Sequence, residues 1–432
     1  MRLKIKNLAK IIDANICIDG ITVIAGDNNT GKSTIGKTLD ALFNSTVNIE
    51  NKMENARINL LVERIDNILR QSDIYRKEFG SRHFPRNLVR QIAVRTIDEK
   101  EENANKLFVE FCKHYLEVEK EYELIELVEE LIEQVKQIQN ISEEQLSQNI
   151  YTNYFNEIFN GNINSVFSGD NTEISLFVKD AEINLEFANN QCISNKRGIR
   201  LVNSSIYIDD PFILDELNQQ EDLFGLPFSN LSMNRRNICK KLTINSKEDI
   251  EEVSLKQLLV NNRLTKIMNL INEVAPGDVI KQRHYMYRTV ENNNLPLNLN
   301  SISAGLKSFV ILKQLLLNGE LKEKDVIVLD EPEIHLHPEW QMKYAEIIVC
   351  LQKEFDFSIV VTTHSSHFME ALELYSKKYG ISDKGHYYLA KHYNSGTKFL
   401  DVTESTGEIY KEMVEPSLSL DVLREELYSE ND

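Results

Sequence analysis

The chain begins with a segment in which every second residue is apolar. Further along, the apolar residues recur at the spacing of a helix. Residues 3–6 alternate apolar and charged side chains, and Ile21 to Ala25 form a near-continuous apolar run. Alternation is typical of a strand with one buried face, and a continuous run is typical of a strand buried on both faces. Residues 3–25 therefore predict two or three strands, and the last of them is expected inside a sheet.

From about residue 35 to 150 the apolar spacing changes to three and four, which predicts helices. The first helical set is Leu60, Leu61, Ile65, Ile68 and Leu69. The second lies in a Glu/Lys-rich stretch, 101–139, and comprises Phe111, Tyr115, Val118, Tyr122, Ile125, Val128, Ile132 and Val135. This stretch predicts either a helical hairpin arm or lid, or an ordinary amphipathic core helix, and it is too short for a coiled-coil rod.

Period two returns between about residues 165 and 210. Residues 173–178 and 181–187 flank Lys179-Asp180, which predicts a hairpin, and Ser205 to Asp209 predict another strand. Residues 211–275 look helical again, and 285–299 suggest strands and an Asn-rich loop. Because no internal repeat or low-complexity linker separates these parts, the helical segments are interpreted as insertions into one domain.

Composition places the chain among ordinary globular proteins. It has 432 residues, of which 42% are hydrophobic and 27% charged. No window approaches the length of a membrane span, and the charged N-terminus does not resemble a signal peptide, so a cytoplasmic protein without membrane contact is expected. The five cysteines are scattered singly, which predicts reduced, structural thiols.

The net charge of −18 argues against a generally basic surface for nucleic acid. Two local clusters of basic residues leave DNA open as a ligand, although either cluster is equally typical of a solvated helix face. The clusters are Arg82-His83-Arg86-Arg90-Arg95 and Arg235-Arg236-Lys240-Lys241.

A phosphate-binding loop follows the apolar run at 21–25. Gly26 and Gly31 bracket four residues, and Lys32 and Ser33 come next. In this pattern the glycines let backbone N–H groups turn toward a phosphate, the lysine reaches the β- and γ-oxygens, and the serine offers its hydroxyl to Mg²⁺. A helix predicted after Ser33 adds partial positive charge. The residues expected to bind nucleotide here are Gly26, Asn28, Asn29, Thr30, Gly31, Lys32, Ser33 and Thr34.

Two further apolar runs end on residues suited to phosphate chemistry. Residues 326–329 end on Asp330 and Glu331, and two carboxylates at the exit of a hydrophobic strand are costly unless a cation or polar site receives them. Asp330 is expected to hold Mg²⁺ through water, and Glu331 to orient an attacking water. Residues 357–363 end on His364, which either contacts a γ-phosphate or is a satisfied structural histidine.

A third candidate lies between the loop and the acidic pair. Ser303-Ala304-Gly305 precedes an amphipathic helix predicted from Phe309 to Leu317. A Ser-x-Gly turn at a helix start offers N–H groups and a hydroxyl to an anion, and the same sequence is typical of an ordinary helix cap.

The order of these four motifs resembles the ABC ATPase family: Walker A, signature, Walker B with its glutamate, and switch histidine. The stretch from Asp330 to Gln341 is similar to RecF-, SMC- and OLD-type ATPases, including the ATPase subunits of anti-phage systems such as Septu. The resemblance covers mainly residues 1–45 and 295–372, and no Q-loop glutamine is assigned. It implies an α/β fold, a P-loop ABC-ATPase head with a mixed β-sheet and a large helical insertion. The expected boundaries are 1–45, 165–210 and 285–432 for the head, and 46–164 and 211–284 for the insertion or lid.

The resemblance also implies an ATPase that uses ATP and Mg²⁺ as a homodimer or higher oligomer. Ser303 and Gly305 of one copy would close on the γ-phosphate held by Lys32 of the other. Glu331 would be the general base, and His364 the switch. Ser33 and Asp330 would hold the metal.

Several functions fit this description. The favoured hypothesis is a nucleotide-dependent dimeric switch in an anti-phage defence system, acting with a separate effector such as a nuclease or toxin. The alternatives are a RecF/SMC-type ATPase of DNA repair or recombination, a transporter ATPase subunit, and a scaffold that binds ATP without hydrolysing it. The transporter hypothesis is opposed by Ala304 and Leu306, where a transporter signature has Gly and Gln.

Overall fold

A computed structural model describes residues 1–72, 85–116, 121–218, 228, 230–243, 263–289, 295–393, 395–414 and 424. The strands in chain order are β1 Arg2–Leu8, β2 Ile11–Cys17, β3 Ile21–Gly26, β4 Thr172–Val178, β5 Ala181–Ala188, β6 Gln191–Arg197, β7 Ser205–Ile208, β8 Asp278–Lys281, β9 Tyr285–Arg288, β10 Leu297–Asn298, β11 Val326–Asp330, β12 Ser358–Thr363, β13 Gly385–Tyr393 and β14 Gly396–Asp401.

The helices in chain order are α1 Lys32–Thr46, α2 Ile49–Gln71, α3 Arg86–Thr96, α4 Glu101–Tyr115, α5 Glu121–Gln139, α6 Glu143–Phe159, α7 Met233–Leu242, α8 Ala304–Leu317, α9 Pro338–Phe355 and α10 Ser366–Tyr379. Short 3₁₀ helices lie at Pro211–Asn218, Leu299–Ser301 and Ser382–Lys384, and residues 263–272 are also helical. Within the described ranges, no helix combines the length and the apolar character that a membrane crossing requires.

The described strands form a large mixed sheet with the order β6-β5-β4-β1-β2-β14-β13-β3-β12-β11-β7, and a small sheet, β10-β9-β8. The fold is therefore α/β with a mixed sheet, as the sequence predicts. In the large sheet β13, β3, β12, β11 and β7 run parallel. The carboxyl ends of parallel strands meet at one edge, which is where open α/β sheets bind ligands.

The antiparallel half of the large sheet confirms one predicted hairpin and adds a strand that the sequence does not predict. In the predicted hairpin Val178 pairs with Ala181 across a two-residue turn, in which Lys179 has a φ of 53°. The additional strand is β6, which pairs with β5 after Asn189 and Asn190, both at positive φ. Positive φ at both turn residues is typical of a tight hairpin. The side chains of β6 are mostly polar, so periodicity gives no signal for it.

The chain divides into two compact units, one formed by Met1–Val47 with Thr152–Asp432 and the other by Asn48–Tyr151. Residues 211–284, which the sequence predicts as an insertion or lid, fall within the unit that contains the sheet. The physical reason is burial. Ile238, Leu242 and Ile271 are part of the same apolar core as strand residues such as Val23.

In the described part of the second unit, four helices contact one another in a ring: α2 with α3, α3 with α4, α4 with α5, and α5 with α2. The first predicted apolar set is confirmed, since Leu61, Ile65 and Leu69 are fully buried.

The second predicted set, along 101–139, is partly wrong. Two members of the predicted stripe are largely exposed, Tyr122 by 61% and Ile125 by 52%. The neighbouring Leu124 and Leu127 are buried instead. The stretch is two helices, α4 and α5, so the apolar pattern does not continue in one phase across it. Val118 lies outside the described residues.

The helix that follows Ser303 also differs from the prediction. It begins at Ala304 and is buried on most of its surface, so it is a core helix and not an amphipathic one. Its two lysines are buried with polar partners. Lys307 Nζ lies 2.7 Å from Asp215 Oδ1, and Lys313 Nζ donates to the Gly277 carbonyl at 2.8 Å. Charged groups at buried positions are tolerated when they are paired in this way.

Candidate nucleotide-binding site

The loop between β3 and α1 has the backbone shape that its two glycines allow. Every residue of β3 is buried, and the strand ends at Gly26 with a φ of 139°. A Cβ atom at Gly26 would lie 2.5 Å from the Ala390 carbonyl oxygen of β13. Gly31 has a φ of 81° and precedes the first residue of α1. Glycine adopts both of these backbone conformations at little cost. At Gly26 the absence of a side chain also allows the close approach to β13.

The N–H groups of the loop are available to a ligand. In the described structure, no backbone N–H of Asn28–Ser33 donates to another protein group. The loop is instead held by Thr30, whose hydroxyl donates to the Asp27 carbonyl at 2.8 Å, and by the Thr34 N–H, which donates to the Gly31 carbonyl at 3.1 Å. Consecutive free N–H groups at a helix N-terminus form an anion-binding concavity.

Lys32 lies inside this loop with only 3% of its surface exposed. Its Nζ atom donates to the Gly26 carbonyl at 3.0 Å and to the Asp27 carbonyl at 2.8 Å. It also lies 2.7 Å from Nε2 of His364. Burial lowers the pKa of Lys32, although the nearby carboxylates of Glu331 and other acidic residues oppose this shift. Burial therefore destabilises the charged ammonium group, and the negative charge of a bound phosphate would reduce this cost.

His364 connects the loop to the acidic pair. Its Nε2 atom lies 2.7 Å from Lys32 Nζ and 2.8 Å from Glu331 Oε1. Burial and the charge of Lys32 lower the pKa of His364, and Glu331 opposes this shift, so the net effect favours the neutral imidazole. A neutral imidazole nitrogen either accepts from the lysine or donates to the carboxylate, but it does not do both. The two contacts therefore compete for one atom.

Glu331 is held in an unusual backbone conformation. Its φ is 51°, and its N–H lies within hydrogen-bond distance of the Thr362 carbonyl (3.1 Å) and of the Thr362 hydroxyl (3.0 Å). A non-glycine residue at positive φ costs free energy and persists where the surroundings impose it, often at functional sites. Here Thr362, near the end of β12, holds the backbone of Glu331 directly after β11.

Asp330 is oriented by two hydroxyl groups. Tyr207 donates to Oδ2 at 2.6 Å, and Thr362 donates to Oδ1. Tyr207 is 3% exposed and comes from β7, the parallel neighbour of β11. The hydroxyl of Ser33, by contrast, has no partner among the described residues. A fixed carboxylate and an unengaged hydroxyl are suitable groups for holding Mg²⁺.

We expect Tyr207→Phe to weaken the use of Mg²⁺. A hydrogen bond to a charged group contributes about 1.5–3 kcal/mol. Its loss leaves Asp330 less well oriented, so the Mg²⁺ concentration for half-maximal ATPase activity should rise about tenfold. The maximal rate at saturating Mg²⁺ should change little. Tyr388→Phe is the matched control, since Tyr388 is a buried tyrosine of β13 whose hydroxyl contacts the backbone of Cys17.

Glu333 is a site residue that the sequence analysis does not assign. It is 5% exposed, and its Oε1 atom accepts from the Thr363 hydroxyl and from the His364 N–H, the latter at 3.0 Å. Burial raises the pKa of this carboxyl, and both donors oppose the shift. Glu333 thus connects the acidic loop after β11 to the backbone of the histidine after β12. The repeated acid in Asp330-Glu-Pro-Glu333 is the one signal of it in the sequence.

Ser303 and Gly305 lie at the start of α8. Ser303 is exposed and is the N-cap of α8, where its Oγ accepts from the Leu306 N–H at 3.3 Å. A Cβ atom at Gly305 would lie 2.9 Å from the His335 carbonyl and close to the Trp340 ring. No described hydrogen bond joins Ser303 or Gly305 to the phosphate loop. Hydrogen bonds and ion-pair contacts therefore join groups from three of the four predicted motifs, and no described hydrogen bond joins the fourth to them.

The second basic cluster is engaged in ion pairs within the chain. Arg235 lies 2.7 Å from Asp210, and Arg236 lies 3.1 Å from Glu157. Lys241 lies 3.0 Å from Glu320. These charges are largely neutralised, so the cluster is a poor candidate for a nucleic-acid surface. In the first cluster, Arg82 and His83 lie outside the described residues.

Comparison with known proteins gives a family match and several distant similarities. The AAA ATPase domain family matches residues 1–369. The Retron Vc95 probable ATPase of Vibrio cholerae serotype O1 biovar El Tor is 25% identical over 137 residues, which cover 29% of this chain and 25% of that protein. The Retron Ec83 probable ATPase of Escherichia coli is 31% identical over 116 residues, 24% of this chain and 19% of that protein. The chain thus spans a quarter or less of these relatives.

The comparison with solved structures found SMC heads among others. An SmcHead bound to the C-winged helix domain of ScpA is 9% identical, with a TM-score of 0.41 and coverage of 94% of this chain and 98% of that chain. The SMC head domain from Thermotoga maritima is 12% identical, with a TM-score of 0.36 and coverage of 93% and 98%.

Proposed function

The chain belongs to the AAA ATPase domain family and is an ATPase, and we propose that it acts as a dimeric switch that closes on ATP and opens after hydrolysis. The observation that carries this proposal is the competition at His364. One imidazole nitrogen lies within 2.7 Å of the phosphate-loop lysine and 2.8 Å of Glu331. A bound triphosphate engages Lys32 and so changes which of the two groups hydrogen-bonds to the nitrogen.

The phosphate loop binds the substrate in this proposal. The free N–H groups of Asn28–Ser33 donate to the phosphate oxygens, and Lys32 leaves the Gly26 and Asp27 carbonyls to pair with the β- and γ-phosphates. Lys32 then no longer donates to His364 Nε2. The imidazole is free to donate from Nε2 toward Glu331 or toward the γ-phosphate.

Mg²⁺ fits the same edge of the sheet. Ser33 and Asp330 would hold it, Ser33 through its unengaged hydroxyl and Asp330 through water. When bound, the ion neutralises charge on the phosphate oxygens. Tyr207 and Thr362 keep the Asp330 carboxylate in one orientation.

Glu331 is the general base for hydrolysis. Its carboxylate takes a proton from water as the water oxygen attacks the γ-phosphorus. The bond between that phosphorus and the bridging oxygen breaks, which gives ADP and phosphate. The backbone of Thr362 and the imidazole of His364 hold the carboxylate in position for this step.

A second copy completes the site. Ser303 is exposed at the N-terminus of α8 and has no described hydrogen bond to the phosphate loop of its own chain. We infer that Ser303 and Gly305 close on the γ-phosphate held by the other copy. The family resemblance of Ser303-Ala-Gly305 supports this arrangement, and the N-terminal position on α8 gives it a physical reason, since helix N-termini attract anions.

The switch is further proposed to control a separate effector, a nuclease or toxin, in an anti-phage defence system. The support is the resemblance of residues 330–341 to ATPases of such systems, together with the similarity to two retron ATPases. The proposal treats the ATPase cycle as the signal and leaves the chemistry of defence to the effector.

A mixing experiment tests the shared site. Lys32→Ala removes the phosphate-loop lysine, and Ser303→Arg blocks the surface that would meet the other copy. We expect each variant alone to be inactive. In a mixed dimer, one site combines the intact Lys32 of one copy with the intact Ser303 of the other. An equimolar mixture should therefore recover up to about a quarter of the wild-type ATPase rate, because half of the dimers are mixed and each contains one intact site.

Two results would contradict the shared site. The first is a Ser303→Arg variant with wild-type activity. The second is a mixture that never exceeds the summed rates of the two variants. Ser301→Arg is a matched control, because Ser301 is also exposed and lies just before α8.

A further inference from the structure

The helical unit 48–151 carries opposite charge on two opposite helices. In its ring of contacts, α3 touches α2 and α4, and α5 touches the same two helices, so α3 and α5 occupy diagonal positions. The sequence of α3 has three arginines and no acid. The sequence of α5 has six glutamates and one lysine. Between them, α2 has four acids and four bases, so the charge is concentrated at the two diagonal helices.

The outer face of α3 is a basic strip. Arg86, Arg90 and Val94 follow one another at intervals of four residues, so they lie along one side of the helix. Both arginines are exposed, and Val94 is 49% exposed. Arg90 donates to the amide oxygens of Asn59 and Asn55, which fix the guanidinium but do not neutralise it. We call Arg86, Arg90 and Val94 the basic strip.

The outer face of α5 is an acidic strip of similar length. Glu126, Glu129 and Glu133 lie along its exposed side, with the exposed Tyr122 at the start of the same side and Ile125 beside it. We call these five residues the acidic strip. At about 1.5 Å per residue, the basic strip spans about 12 Å from Arg86 to Val94, and the glutamates of the acidic strip span about 10 Å from Glu126 to Glu133.

The charges of the two strips lack ion-pair partners in the part of the chain that the structure describes. Among the described residues, no carboxylate lies within ion-pair distance of Arg86 or Arg90, and no lysine or arginine lies within that distance of Glu126 or Glu129. Like charges three or four residues apart destabilise a helix. The exposed Val94 and Ile125 add apolar surface beside the charges, which docking on a protein would bury.

We propose that the basic strip of one chain docks on the acidic strip of a second copy. The two strips have opposite charge, similar length and apolar residues beside the charges. Because each copy offers a different surface to its neighbour, the contact is heterologous, and it continues into a ring or a filament. The contact needs no nucleotide and is independent of the ATP-driven closure proposed above.

Charge reversal on each strip tests the docking. The variants are Arg86→Glu/Arg90→Glu and Glu126→Arg/Glu129→Arg, measured by sedimentation equilibrium of the full chain without nucleotide. At about 0.1 M salt, we expect wild-type mass to rise with protein concentration, and each variant to need at least about tenfold more protein to associate. An equimolar mixture of the two variants should restore association, since each reversed strip then meets an oppositely charged one. Salt at about 1 M should dissociate the wild type.

The exposed face of α4 provides a control for the charge reversals. Lys106→Glu/Lys113→Glu changes the same charge on the exposed face of α4 and should associate like wild type. The proposal is overturned if wild type does not associate at low salt, if the strip variants match the control, or if their mixture fails to restore association. It is also overturned if Arg86→Glu/Arg90→Glu keeps wild-type mass but loses binding to duplex DNA, which would make the basic strip a phosphate contact.

Discussion

Glu331→Gln is expected to lower the ATPase rate by about 10²–10⁴-fold, the usual contribution of a general base. Glutamine keeps the size of the side chain and can still accept a hydrogen bond, but it cannot take a proton from water. The phosphate loop is untouched, so Mg-ATP should bind with unchanged affinity. The measurement is steady-state phosphate release together with equilibrium binding of nucleotide.

Glu339→Gln is the matched control for this change. Glu339 is exposed in the first turn of α9, on the same segment that follows β11. It should retain the wild-type rate. If Glu331→Gln hydrolysed ATP as fast as Glu339→Gln, the assignment of the base would be wrong. Loss of Mg-ATP binding in Glu331→Gln would instead show that this carboxylate contributes to substrate binding.

Lys32→Ala should abolish the stabilisation of the protein by Mg-ATP. A ligand present at 100 times its dissociation constant stabilises the folded state by about 2.7 kcal/mol. Without the ammonium group inside the loop, this gain should fall to near zero, and hydrolysis should stop. The measurement is urea unfolding with and without Mg-ATP, which reads binding separately from catalysis.

Lys37→Ala is the control, because Lys37 lies on the same helix but makes none of the contacts of Lys32 with the loop. It should keep the full nucleotide-dependent gain. If Lys32→Ala kept that gain, the loop would bind phosphate through its N–H groups alone. ATP binding would then not depend on Lys32, which contradicts the proposal that ATP draws Lys32 away from His364.

The parts of the site that the sequence predicts are those encoded by local pattern. Gly26 and Gly31 predict the loop because only glycine accepts the backbone that the loop requires. Asp330 and His364 are predicted because each follows an apolar run, and the structure places Asp330 at the end of β11 and His364 directly after β12, the neighbouring parallel strand. The hairpin at Lys179 follows from alternation on both sides of a two-residue turn.

The remaining site residues depend on contacts between distant parts of the chain. Tyr207 reaches Asp330 from a strand 123 residues earlier, and nothing in its own strand announces the contact. Glu333 reaches the backbone of His364 in the same way. The exposed position of Tyr122 depends on where α4 ends and α5 begins, and periodicity alone does not locate that break. Sequence patterns predict which face of a helix or strand is buried and about where it ends. The contacts and exposure of these residues depend on how the helices and strands pack against one another.

The solution mass of Glu331→Gln with and without Mg-ATP tests the dimeric switch most directly, by light scattering after size exclusion. Loss of the base should trap the ATP state, so the account predicts that Mg-ATP doubles the mass of the nucleotide-free species and that a further Ser303→Arg change prevents the doubling. A mass that stays the same when bound nucleotide is demonstrated would contradict the switch.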